Sequence, residues 1–116
     1  MKVKIYHNPR CSKSRQTLEI LNKKKLDIDI IEYLKSPLDN SEISDLLKKL
    51  GYTARDLLRT GEDIYKNKKL SDKSLTDDFL IDTMSKNPIL IERPIVVSND
   101  KAVIGRPPEK VLEIIW

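Results

Sequence analysis

Apolar and polar residues alternate where the chain begins, with Val3 and Ile5 set between Lys2, Lys4 and Tyr6. That is the period of a half-buried strand. From Ser12 to about Lys25 the pattern turns helical, with Ser14, Leu18 and Leu21 on one face. Ile28-Asp29-Ile30-Ile31-Glu32-Tyr33 reads as a second strand. Strand, helix and strand over about thirty residues predict a βαβ unit with parallel strands.

The middle of the chain reads as helices. Asp39-Asn40-Ser41-Glu42 has capping-box spacing, Ile43, Leu46, Leu47 and Leu50 follow at i, i+3, i+4, i+7, and Gly51 supplies a stop. Thr53 can cap a short helix through Leu58, and another is expected around Glu62 to Lys68. Ser74 or Thr76 can start a further helix carrying Phe79, Leu80 and Met84. Strand patterns return in Pro94-Ile95-Val96-Val97 and Ala102-Val103-Ile104, joined by a Ser98-to-Lys101 turn as a hairpin. Gly105 ends the strand, and Pro107-Pro108 opens a last helix whose buried face is Val111, Leu112 and Ile115. The expected architecture is α/β, a βαβ–ββα core with a mixed sheet and a helical insertion between its halves. It is one domain over residues 1–116, with the core at about 1–36 and 87–116 and the insertion at about 37–86.

Composition narrows the function classes. Of 116 residues, 39% are apolar and 34% charged, the balance of a globular protein. No apolar run approaches the ~20 residues of a membrane span. The start of the chain goes straight into a strand pattern without a long signal-peptide core, so a cytoplasmic location with no membrane contact is expected. The net charge of +4 comes from short, separated runs such as Lys23-Lys24-Lys25, which suit helix ends. With only 5% aromatic residues there is little to stack bases on, so nucleic acid is not expected as a partner. The mild positive field favours an anionic substrate.

One cysteine, Cys11, lies in His7-Asn8-Pro9-Arg10-Cys11-Ser12-Lys13-Ser14-Arg15, where the first strand gives way to a helix. A thiol there faces unpaired backbone N–H groups and the positive end of the helix dipole, both of which favour thiolate. Arg10, Lys13 and Arg15 add positive charge. A pKa drop from ~8.5 to ~6.5 would raise the thiolate fraction at neutral pH from a few per cent to roughly three quarters. A single thiol excludes an internal disulfide. One Cys and one His are too few for a structural zinc site, so no metal is expected. A cysteine phosphatase loop needs C-x-x-x-x-x-R, and Thr17 stands six places after Cys11.

The order of elements with a cysteine after the first strand resembles the thioredoxin superfamily. Several segments resemble one branch of it, the glutaredoxin-linked arsenate reductases. They are Ile5-Tyr6-His7-Asn8-Pro9-x-Cys11-x-x-Ser14-Arg15, Leu57-Leu58-Arg59, Asn87 through Val97, and Gly105-Arg106-Pro107. The resemblance implies a thioredoxin-like fold with Cys11 as nucleophile and Arg59, Arg93 and Arg106 as oxyanion ligands. It places Ser14 and Arg15 in the turn around the thiol, His7 near it, and Pro94 at a cis bond facing the nucleophile. The implied substrate is arsenate or a similar oxyanion. Glutathione is the co-substrate and glutaredoxin the partner, with no bound cofactor, in a monomer. Arginine suits that task, because its charge is permanent and its planar fork matches a tetrahedral oxyanion.

Two other readings share these residues. A glutathione-dependent thiol-disulfide oxidoreductase would use Cys11 without needing all three arginines. A related branch binds RNA polymerase as a redox sensor with a C-x-x-C pair. Ser14 in the second place excludes that switch but leaves polymerase binding without one.

Overall fold

The computed structural model describes residues 2–115, which fall into two compact units. One combines the residues up to Ser36 with those from Arg93 onward, and the other is Pro37–Glu92. Among the described residues no helix is long and apolar enough to cross a membrane.

The first unit holds β1 (Lys2–Tyr6), α1 (Ser12–Lys23), β2 (Asp27–Ile31), β3 (Ile95–Ser98) and β4 (Lys101–Ile104). They form a four-stranded sheet of order β2-β1-β3-β4. β1 runs parallel to β2 in the register Lys2↔Asp27 to Tyr6↔Ile31, while β3 is antiparallel to both β1 and β4. This is the expected mixed sheet. Val3, Ile5, Leu21, Val96, Val111, Ile114 and Ile115 make its buried core.

Several boundaries differ from the sequence reading for identifiable reasons. β2 stops at Ile31 rather than Tyr33, because His7 N–H takes the Ile31 carbonyl at 2.8 Å and β1 then turns away through Pro9. Glu32 instead opens a turn, its carbonyl accepting from Lys35 and Ser36. α1 ends at Lys23, and Lys25 takes the left-handed region (φ 54°) that a helix cannot continue through. Its fully buried positions are Ser14, Thr17 and Leu21, with Leu18 only partly covered. The hairpin connection is tighter than the four residues expected. Ser98 pairs with Lys101, and Asn99 supplies the positive φ of 57° that a two-residue loop demands. The last helix is a 3₁₀ segment, Pro108–Glu113. At six residues the segment is short, and it closes with i→i+3 bonds such as that from Ile114 N–H to Val111. Leu112 is exposed there, while Val111, Ile114 and Ile115 are buried.

The second unit contains α2 (Asn40–Leu50), α3 (Ala54–Leu57), α4 (Asp63–Asn67) and α5 (Asp77–Lys86). Asp39 caps α2 by accepting from Glu42 N–H, and Gly51 ends it in the left-handed region at φ 71°. Thr53 and Asp56 form a reciprocal capping box on α3. Thr76, not Ser74, caps α5; Ser74 is engaged with Asp72. Leu80 and Met84 are buried, whereas Phe79 faces solvent. A 3₁₀ turn at Pro88–Leu90, absent from the sequence reading, follows α5. It leads into an antiparallel bridge between Leu58 and Ile91, fastened by Arg59 N–H to Leu90 O at 2.8 Å and Glu92 N–H to Leu57 O at 2.9 Å.

Candidate active site

The loop between β1 and α1 is held by its own short-range bonds. The Asn8 carbonyl accepts from Cys11 N–H at 3.0 Å, and Asn8 Oδ1 accepts from Arg10 N–H at 3.0 Å. Asn8 is itself buried. This wrap turns the chain so that Cys11 arrives with extended backbone (φ −93°, ψ 122°) at the N-cap of α1. Its carbonyl begins the helix by accepting from Arg15 N–H. The thiol is partly exposed, as a reacting group must be.

Two arginines from distant segments meet this sulfur. Arg106 Nη2 donates to Cys11 Sγ at 3.3 Å, and its Nε donates to the Arg93 carbonyl at 2.7 Å. The Arg93 side chain also donates toward the sulfur. Both arginines precede cis prolines, Arg93-Pro94 and Arg106-Pro107; the second cis bond was not expected from sequence. Pro94 is buried beside Gly105, whose Cα lies so close to Thr17 and Pro94 that a Cβ there would stand 2.5 and 2.8 Å from their atoms.

The electrostatics at Cys11 combine opposing influences. Partial burial is the largest and pushes the thiol up. Against it stand the Ser14 backbone N–H, the Arg93 hydrogen bond and the charges of Arg106 and Arg93. Together they prevail, and the thiol sits below its ordinary value. The Ser14 amide is outside ideal capping geometry for the sulfur yet still favours the anion.

Behind the loop, the fully buried Ser14 Oγ lies 2.6 Å from His7 Nδ1 and accepts from Asn8 N–H at 3.1 Å. Burial holds the His7 pKa below its usual value; Glu32 opposes this and Arg15 adds to it. His7 also lines a cleft of about 270 Å³ with Arg10, Glu32 and Lys35. Arg15 reaches back from α1 to the Pro9 carbonyl at 2.9 Å, bracing the loop.

Arg59 belongs to the second unit. Its Nε meets Glu62 Oε2 at 3.2 Å and its Nη1 meets Glu92 Oε1 at 2.5 Å. Burial pushes this guanidinium down, but the two carboxylates outweigh it and hold its pKa above the ordinary value. Neither glutamate was singled out from sequence. Glu62 had a local signal in its i,i+3 spacing from Arg59, whereas Glu92 had none. Asn8 and Pro107 were quoted only as parts of motifs.

The model of the ArsC family matches residues 6–114, which spans the cysteine loop and all three arginines. The chain belongs to the ArsC family. The arsenate reductase of Haemophilus influenzae is 46% identical over 116 residues, covering 99% of this chain and all of that protein. The Escherichia coli K12 protein YfgD, described as uncharacterized, is 55% identical over 114 residues, 97% of this chain and 96% of its own. Among solved structures, the arsenate reductase from Vibrio cholerae superimposes with a TM-score of 0.97 at 46% identity, covering 99% of this chain and 98% of that one. The ArsC assignment brings with it the thioredoxin-like α/β fold.

Proposed function

We propose that this protein reduces arsenate to arsenite with the Cys11 thiolate as nucleophile. The observation that carries the reading is the meeting of Arg93 and Arg106 on the sulfur of Cys11, the residue that precedes α1. Relatives such as the H. influenzae and V. cholerae arsenate reductases support it. A thiolate repels an oxyanion unless positive charge surrounds both. Two guanidinium groups beside Cys11 answer that need and can hold the ion for attack. Arg59 is the third ligand in this reading, on its motif resemblance. Pro94, Ser14, His7 and Arg15 shape the loop around the thiol.

In the first step Cys11 Sγ bonds to arsenic(V), and an arsenic-bound oxygen leaves as water after protonation. In the second, a glutathione thiolate attacks Cys11 Sγ, the sulfur–arsenic bond breaks, and its electron pair stays on arsenic. Arsenic(V) becomes arsenite, while Cys11 and glutathione become a mixed disulfide. The glutaredoxin thiolate then attacks the glutathione sulfur and frees Cys11. An outside thiol is needed because the chain has no second cysteine. That chemistry belongs in the reduced, glutathione-rich cytoplasm, with the protein acting as a monomer.

The test is arsenate-dependent NADPH oxidation with glutathione, glutaredoxin and glutathione reductase, beside a Cys11→Ser control. Turnover that vanishes in the control is expected. A folded, inactive wild type whose thiol still titrates low would overturn arsenate as substrate and point to glutathione mixed disulfides.

A further inference from the structure

We infer that Glu62 and Glu92 set the protein's affinity for its oxyanion by gripping Arg59 and offsetting its charge. The inference rests on the reading of Arg59 as an oxyanion ligand. An arginine meant for an incoming anion is ordinarily left to it, yet here two carboxylates of the same chain already occupy it. Glu92 takes Nη1 and Glu62 takes Nε, from 33 and 3 residues further along the chain. All three side chains are partly buried, at 22% exposure for Arg59, 26% for Glu62 and 28% for Glu92, so solvent and salt screen them less than a surface pair.

The backbone builds this grip. The isolated Leu58–Ile91 bridge, with Arg59 N–H on Leu90 and Glu92 N–H on Leu57, draws together the two segments that carry Arg59 and Glu92. The turn after Arg59 brings Glu62 round, its N–H directed to the Arg59 carbonyl. The two carboxylates hold the guanidinium through Nε and Nη1, which lie on different edges of its plane.

The chemical consequence has a definite sign. One guanidinium with two carboxylates leaves an excess negative charge beside the anion's third ligand. An oxyanion therefore binds more weakly than the three arginines alone would allow, and product and competing anions leave more readily. Glu62 and Glu92 act through Arg59 and are positioning residues in this sense. Replacing Glu92 by Gln removes the charge while keeping an acceptor for Nη1. Anion binding should tighten about three- to tenfold, the range expected for removing one partly screened like charge.

The measurement is protection of Cys11 from iodoacetamide by inorganic arsenate, titrated at low ionic strength without any reductant. Wild type, Arg59→Ala, Glu92→Gln, Glu62→Gln and Glu92→Asp are compared, each checked for folding by thermal melting. Glu92→Gln and Glu62→Gln should protect at lower arsenate, Glu92→Asp at the wild-type concentration, and Arg59→Ala only at higher arsenate. A merely structural pair of glutamates would leave the protection constant unchanged or weaken it in both Gln variants, and that result would overturn the inference. If Arg59→Ala protects as well as wild type, Arg59 is no anion ligand, and the reading beneath the inference falls with it. Two independent Gln variants keep the test decisive should one of them fold poorly.

Discussion

Arg106 and Cys11, 95 residues apart in the chain, are joined by a 3.3 Å hydrogen bond from Nη2 to Sγ. The same guanidinium holds the Arg93 carbonyl through Nε at 2.7 Å. One planar group thus fixes the loop before Pro94 and the nucleophile at once. Replacing Arg106 by Ala should raise the Cys11 pKa, because a hydrogen bond to the sulfur and a close positive charge are both lost. Arg106→Lys should recover only part of this, because an ammonium on a flexible stem does not reproduce the two-point fork. The pH dependence of iodoacetamide alkylation, or of thiolate absorbance, measures both.

His7 should make stability fall in mild acid. Burial holds its folded pKa below the ordinary 6.5, so as pH drops through 6.5 the unfolded chain takes up a proton first. Stability is then complete above about pH 6.5 and declines as pH falls toward the folded value. In His7→Asn, whose amide occupies the place of Nδ1 against Ser14, this part of the slope should vanish. Urea denaturation at pH 7.5 and pH 5.5 checks it, and equal slopes in the two proteins would refute it.

Gly105→Ala should destabilise the protein by about 1–3 kcal/mol, the range for forcing an extra carbon into a packed interior. The new Cβ would meet Thr17 Oγ1 at 2.5 Å and Pro94 Cγ at 2.8 Å. Thr17 cannot easily yield, since its hydroxyl donates to the Lys13 carbonyl inside α1. Adding Thr17→Ala should recover part of the loss. Chemical denaturation of the two variants decides the point.

Leu21→Ala should cost about 2–5 kcal/mol by opening a cavity under the sheet. Leu21 is fully buried among Val3, Ile5, Val96 and Val111. The thiol lies at the other end of α1, so alkylation of Cys11 in the folded variant should keep its wild-type pH midpoint.

What the sequence disclosed follows the range of the interaction concerned. Asp39, Thr53, Thr76 and Gly51 act within their own turn, and the elements they bound are legible in a few residues. The end of β2 is not, because it depends on where β1, its partner, turns away at Pro9. The 3₁₀ geometry of Pro108–Glu113 was hidden because Val111 and Ile115 stand at the i, i+4 spacing of an α-helix, whereas the buried Val111 and Ile114 stand at the i, i+3 spacing of a 3₁₀ turn. At the site, the switch from strand to helix pointed to Cys11 from local pattern alone. Arg93 and Arg106 carry no such pattern, since an isolated arginine is by default a surface residue. Family resemblance singled them out, and the β3–β4 hairpin between them accounts for their meeting. Glu92 lay inside a resembling segment, but nothing in the sequence marked it as a partner of Arg59.

The edge position of β2 bears on how the protein behaves when concentrated. Among the described residues no strand pairs beyond it, and Ile30 is 48% exposed there, which is the setting for strand-to-strand aggregation. Asp27 and Asp29 stand exposed on the same short strand. A second copy laid edge to edge would bring its carboxylates against these, so the strand that most invites stacking also repels its own kind. Neutralising both aspartates should therefore lower solubility while leaving the thiol chemistry intact.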